Sequence, residues 1–255
     1  MPLAWLRHAT AGEIIVVQRA GDAAAAHDRR IAVETPSGLS THQAAIWLKT
    51  RLHRLIGLER PFCYLDSDVI AVGEIDRIFD LPRRGVAFAS DHSTIDGFSR
   101  YAVRCGCFGP CPHLREALFC DFAADVAQVD YEMWNGGVFV ADRDGWDLLE
   151  TWHQMACASF ALPYWRTRDQ GVLAGAAFLR GRQDAPRLPG EYNTIVDCFE
   201  GIPEAQRSTL PAEALAIHPN HLPLPRAVAA HYINGGIGRS GWPHSDQLRE
   251  GSLLF

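Results

Sequence analysis

Lysine is almost missing from this chain of 255 residues: Lys49 is the one lysine among 24 basic side chains. No stretch gathers the arginines, and the formal net charge is −6, which excludes a nucleic-acid surface. No apolar run approaches the ~20 residues of a transmembrane helix, and the apolar part of the opening MPLAWLRHAT is too short for a signal peptide. Repeats, low-complexity tracts and an obvious linker are also missing, so a single domain over residues 1–255 is expected. Seven cysteines, an odd number, do not make a disulfide framework and fit a reducing, cytoplasmic setting. What is present is ordinary for a globular protein, with 47% hydrophobic and 21% charged residues, enough to build a core.

EIIVVQ (13–18) and RRIAVE (29–34) read as short buried strands by their apolar, β-branched content. STHQAAIWLKTRLHRLIG (40–57) reads as a helix. Ser40 or Thr41 can cap it, Ala45, Leu48, Leu52 and Leu55 recur at a spacing of three or four, and Gly57 ends it. On that stripe Lys49 falls on the outer side. PFCYLD (61–66), RGVAFASD (84–91) and WNGGVFVAD (134–142) read as strands, with a helix in HLREALFCDFAADVAQ (113–128). GWDLLETWHQMACASF (145–160) and RDQGVLAGAAFL (168–179) read as helices, and AVAAHYI (227–233) as a late strand. This alternation implies an α/β fold with a mainly parallel central sheet flanked by helices. Ligands of such sheets bind beyond the carboxyl ends of the strands, where Asp66 and Asp68 sit.

FCYLDSDVIAVGEIDRIF (62–79) runs an apolar strand straight into Asp66-Ser67-Asp68. Two carboxylates so close repel each other, and something positive should sit beside them. At i and i+2 of an extended segment they face one side, which suits a hard divalent cation with open positions for phosphate oxygens. Such a cation neutralises a diphosphate leaving group. Asp142-Arg143-Asp144 is the internal control: there a strand passes into a helix, and capping explains the pair. After Asp68 the chain continues as VIAVG, with no helix start to cap.

FCYLDSDVIAVGEIDRIFDL resembles the metal-binding strand of the GT-A nucleotide-sugar transferases, closest to glycosyltransferase family 8 and the glycogenin-like enzymes. Further stretches follow in the family's order over residues 40–242. Lys49 matches a donor-contacting basic residue, and WNGGVFVAD resembles the Asn-containing strand that faces the sugar. RDQGVL resembles the Asp-Gln helix start beside the sugar hydroxyls, LPGEYN a later loop ending in Tyr-Asn, and AHYINGGIGRSGW the segment with the third metal ligand. The resemblance implies a GT-A, Rossmann-like domain whose N-terminal nucleotide-binding unit is shortened. It implies transfer of a hexose from a nucleotide diphosphate sugar, UDP-glucose or UDP-galactose, to a glycan, lipid or protein acceptor, with retention. It also implies Mn²⁺ (or Mg²⁺) on Asp66, Asp68 and His231, and donor contacts from Lys49, Asp66, Ser67, Asp68, Gly136 and Arg239. Asn135, Asp169 and Gln170 would be the catalytic, sugar-facing residues. The family's Lys, six residues after the His, is replaced by Ile237, with Arg239 the nearest cation.

Each of these residues has a structural alternative. Lys49 can be a solvated face residue, Asn135 part of a strand bulge, Asp169 a helix cap, and His231 a core histidine. Two other functions also fit parts of the sequence. A GT-A-like protein can bind sugar nucleotides or glycans without turnover. A haloacid-dehalogenase-like phosphatase would use Asp66 as nucleophile, but it needs a Lys after that motif and no Lys follows Lys49. Finally, CGCFGPCPH (105–113) departs from the paired spacing of structural zinc sites, so Cys105, Cys107 and Cys111 are expected to be small thiols in an acceptor-side loop.

Overall fold

A computed structural model describes residues 2–22, 28–57, 59–67, 69–71, 73–195 and 216–218. Helix α1 (Pro2–Ala9) leads into two parallel strands, β1 (Ile15–Arg19) and β2 (Arg29–Val33), at the positions the apolar runs foretell. Helix α2 (Thr41–Thr50) opens with a capping box: Ser40 Oγ accepts from the Gln43 backbone, and Gln43 Oε1 accepts from the Ser40 backbone. The helix breaks at Arg51 and restarts as α3 (Leu52–Ile56), which Gly57 ends. Its buried face is not the expected stripe. Ala45 is exposed, while Ile46, Trp47, Lys49, Thr50 and His53 are buried.

The central sheet joins β3 (Phe62–Leu65), β6 (Glu132–Ala141) and β5 (Val86–Thr94) in the order β3-β6-β5. β6 runs antiparallel to both neighbours, so Phe139 lies opposite Tyr64 on one side and Phe88 on the other. From Met133 to Ala141 every residue of β6 is buried, as its near-continuous apolar run requires. The antiparallel direction matters for function. It brings the start of β6, Trp134–Gly137, to the same edge as the carboxyl ends of β3 and β5. A smaller sheet pairs β4 (Ile70–Ala71) with β8 (Ala216–His218) antiparallel and β7 (Thr194–Ile195) with β8 parallel. The fold is thus mixed α/β, with parallel pairing in β1–β2 and β7–β8 and antiparallel pairing at its centre.

Helices α6 (Trp146–Ser159) and α7 (Gln170–Leu179) cover the sheet, joined by α4 (Ile95–Ala102) and α5 (His113–Phe122). α4 lies between the strand expected at 84–91 and the helix expected at 113–128, where the residue pattern announces no element. Gly97 weakens the helical pattern there, but Thr94 caps the segment, and Ile95, Ser99 and Ala102 are buried. Beneath the sheet edge, Phe88 stacks on Trp134 (5.1 Å between centroids), and Trp152 meets Phe88 and Phe139 edge-on at 5.7 Å each. Among the described residues no helix is long and apolar enough to cross a membrane. The late strand expected at 227–233 lies outside the described residues.

The control pair behaves as expected of a cap: Asp142 Oδ1 accepts from the Asp144 backbone, and Oδ2 takes Arg83 Nε at 2.6 Å. Opposite this turn, Gly85 has φ +76°, and a Cβ built on it would stand 2.2 Å from the Asp144 carbonyl carbon. We expect Gly85→Ala to cost at least about 2 kcal/mol in urea unfolding. Gly38→Ala is the matched case, because Gly38 has φ +85° but nothing within 4 Å of its Cβ position. Its cost should be the backbone strain alone, about 1 kcal/mol.

Candidate active site

Asp66 extends β3 by donating its backbone N–H to the Gly137 carbonyl at 2.8 Å. Its Oδ2 accepts from Lys49 Nζ at 3.1 Å, and its Oδ1 accepts from the Tyr64 hydroxyl. Lys49 Nζ donates a second bond, at 3.0 Å, to Asp169 Oδ2. The positive charge that this strand end needs is therefore the chain's one lysine. This corrects the outer-side placement of Lys49: it is 9% exposed, in the last turn of α2, where the helix dipole also favours a cation. Helical periodicity counts only apolar positions, and so assigns a buried, paired lysine to the surface.

The bridge is tuned by opposing effects. Burial pulls the Lys49 ammonium down, but the charges of Asp66 and Asp169 and their hydrogen bonds outweigh it and hold the pKa above the ordinary lysine range. Burial likewise pushes Asp169 up, and Lys49 together with backbone N–H groups at the start of α7 more than reverses that, leaving the carboxyl below its usual value. Asp169 precedes α7 and makes no side-chain cap bond; its carbonyl accepts from Trp152 Nε1 at 2.8 Å. Its carboxylate faces the lysine, as a site residue's would.

A second polar group adjoins the first. Gln170 Nε2 donates to Asp91 Oδ2 at 2.7 Å, and Asn135 Nδ2 reaches the same oxygen at 3.3 Å. Sequence reasoning missed Asp91, although RGVAFASD ends in a carboxylate at the sheet's carboxyl edge just as PFCYLD does. Asn135 also serves the structural role open to it. Its Oδ1 accepts from the Gly137 backbone at 2.8 Å, where the β5–β6 register shifts between Phe88 and Ala89. A Cβ on Gly136 would lie 3.5 Å from Lys49 Nζ, so the glycine brings backbone close to the bridge. Ser67 is exposed in the turn closed by the Val69 N–H on the Asp66 carbonyl at 2.9 Å. Asp68, His231 and Arg239 lie outside the described residues. An open polar depression of about 530 Å³, bounded by Gln128, Asp130, Glu132, Asp184 and Arg187, shares none of the site's side chains.

Removing the lysine isolates two carboxylates that are only 21% and 16% exposed. Lys49→Met should therefore cost about 3 kcal/mol at neutral pH. In the wild type, Asp169 contributes fully above 3.8 and loses its contribution as pH falls through its depressed pKa. Lys49 contributes fully below 10.5 and loses it only as pH rises through its raised value. The penalty in urea unfolding should thus shrink as pH falls, starting above the ordinary carboxyl range, because without Lys49 burial raises the Asp169 pKa.

No protein-family model matches the sequence, and no curated protein matches it. Solved structures that align with this chain include glycosyltransferases, at TM-scores under 0.5. The galactosyltransferase LgtC, solved with donor and acceptor sugar analogs, aligns with 89% of this chain and 76% of its own at 15% identity and a TM-score of 0.48. The bifunctional glycosyltransferase WbbM aligns with 72% of this chain at 18% identity and a TM-score of 0.47. Mouse xyloside xylosyltransferase 1 aligns with 73% at 14% identity and a TM-score of 0.42. The aligned part spans 32% of WbbM and 66% of the xylosyltransferase. These are distant likenesses, and the chemistry of the site rests on this chain's own side chains.

Proposed function

We propose that the chain is a GT-A-type glycosyltransferase that moves a hexose from a nucleoside diphosphate donor. The observation that carries this reading is the meeting, at one sheet edge, of a buried ion pair and a set of hydroxyl-matching polar groups. Lys49 and Asp66 supply the first, and Asp91, Asn135, Asp169 and Gln170 supply the second. Carboxylates accept and amides both donate and accept, which matches sugar hydroxyls that do both. Catalytic and sugar-facing roles are proposed for Asn135, Asp169 and Gln170, and donor contacts for Lys49, Ser67, Gly136 and Arg239. UDP-glucose and UDP-galactose are the proposed donors.

A diphosphate approaching Asp66 meets charge of its own sign, and the nearest cation is already shared. Among the described residues each Asp66 oxygen accepts one hydrogen bond, which leaves a further lone pair on each, and the side chain is 21% exposed. Its carboxylate oxygens fit a hard dication, Mn²⁺ or Mg²⁺, for which the Asp68 carboxylate and the His231 imidazole are the proposed further ligands. When bound, the ion would neutralise the departing diphosphate. Lys49 then orients both carboxylates and offers its remaining N–H to a phosphate oxygen. Asp169 gives Lys49 one oxygen, Oδ2, so departure and attack on one face of the sugar and a covalent link through Oδ1 are both compatible with the proposed retention.

Thermal shift against nucleotide sugars tests the donor, since a ligand of the native state raises its apparent stability. A UDP-sugar with Mn²⁺ should raise the melting temperature more than either alone. Asp66→Asn should abolish that gain and lower donor hydrolysis roughly 100-fold. Hydrolysis unchanged in chelator would remove the dication from the site. A shift without hydrolysis or transfer would leave a sugar-nucleotide binder, and no shift with any nucleotide sugar would overturn the donor class.

A further inference from the structure

From spacing alone CGCFGPCPH is a poor zinc motif, but the fold overrides the spacing. Between α4 and α5 the chain doubles back, bringing Cys105 Sγ to 3.7 Å from Cys111 Sγ and Cys107 Sγ to 3.7 Å from His113 Nδ1. One ligand atom from each of these four residues lies within 4.8 Å of the others. We propose that Cys105, Cys107, Cys111 and His113 bind a zinc ion in a closed tetrahedral site.

Zn–S bonds of about 2.3 Å and Zn–N bonds of about 2.0–2.1 Å, set at tetrahedral angles, put ligand atoms ~3.5–3.8 Å apart. Both 3.7 Å separations already lie in that range, and the widest needs to close by about 1 Å. A disulfide is a poorer description: its sulfurs stand about 2.05 Å apart, and all three thiols are free. Three thiolates and an imidazole select a soft or borderline ion, whereas the carboxylates around Asp66 suit a hard one. The two sites share no residue, and four protein ligands leave no open position, so this zinc would be structural.

The surroundings are built to hold the ligands. Ser99 Oγ, buried, accepts from the Leu114 backbone at 2.8 Å and lies 3.2 Å from Cys111 Sγ. Its hydroxyl can keep the first bond while donating to a Cys111 thiolate. The Cys111 N–H donates to the Asp96 carbonyl at 3.0 Å, and the Asp96 carboxylate takes Arg115 in a fork at 2.7 and 3.1 Å. Pro110 and Pro112 restrict the backbone on either side of Cys111. Next to the cluster, Arg104 N–H donates to the Tyr164 carbonyl at 2.8 Å, Arg166 N–H to Ala102 at 2.7 Å, and Thr167 Oγ1 to Tyr101 at 2.9 Å. A zinc ion would thus hold the loop after α4, beside which residues 164–167, just ahead of Asp169 and α7, are hydrogen-bonded.

The test uses the reduced full chain, reconstituted with zinc and desalted. Elemental analysis should find one zinc per chain, released in proportion as a mercurial reagent titrates the thiols. Cobalt in place of zinc should give the intense visible bands of a tetrahedral thiolate complex. Cys107→Ser, chosen because Cys107 is only half-buried, should lose both the zinc and these bands. Cys120→Ser, at an exposed position on α5, should keep them. If Cys107→Ser fails to fold, the cobalt spectrum of the wild type decides. A wild-type chain that takes up neither ion, or a folded Cys107→Ser that retains full zinc, would overturn the proposal.

Discussion

One buried ammonium shared by two carboxylates holds the candidate site together. Lys49 comes from the last turn of α2, Asp66 from the end of β3 and Asp169 from the start of α7. Burying such a triad is not a route to stability, because well-packed apolar residues often serve as well or better. What it does is fix three separate elements in one register. Two negative charges against one positive charge also leave the group anionic, and Asp91 nearby adds to the excess. Among the described residues the arrangement becomes neutral when something cationic joins it, which is why the proposed reaction is metal-assisted.

The core reaches this bridge through Trp152. Its ring packs edge-on against Phe88 and Phe139, its Nε1 holds the Asp169 carbonyl, and its outer edge would lie 3.5 Å from a Cβ at Gly136. The side chains that fill the space between sheet and α6 therefore also set the height of the site floor. Gly136 and Gly137 let β6 shift register over this floor, so that Asn135 turns to Asp91 while Gly137 still pairs with Asp66. Stability and site geometry share the same atoms here.

The elements were legible in the sequence because strands and helices announce themselves by period and by caps. RRIAVE, PFCYLD and WNGGVFVAD became strands, and Ser40 and Gly57 bound the helical pair, as their residue types require. The control at Asp142 was legible for the same reason. What failed was the reading of buried polar groups. Lys49, Thr50 and His53 face inward because Asp66, Asp169, His153 and Glu150 meet them there, and no period reveals a partner that is distant in sequence. The convergence of Cys105, Cys107, Cys111 and His113 was hidden likewise, since loop path, not spacing, decides whether thiols meet. α4 was hidden by Gly97 and held by tertiary burial of Ile95 and Ala102.

The scarcity of lysine gives the bridge a further use. Lys49 carries the chain's one side-chain amine, and it is closed off inside a network of carboxylates. An amine-directed reagent, or a protease that cuts only after lysine, meets a single internal target that becomes reactive only when α2 parts from β3 and α7. Its rate of attack reads the local opening free energy of the site, much as amide exchange does for a backbone group. The molecule carries its own probe at the place where its parts meet.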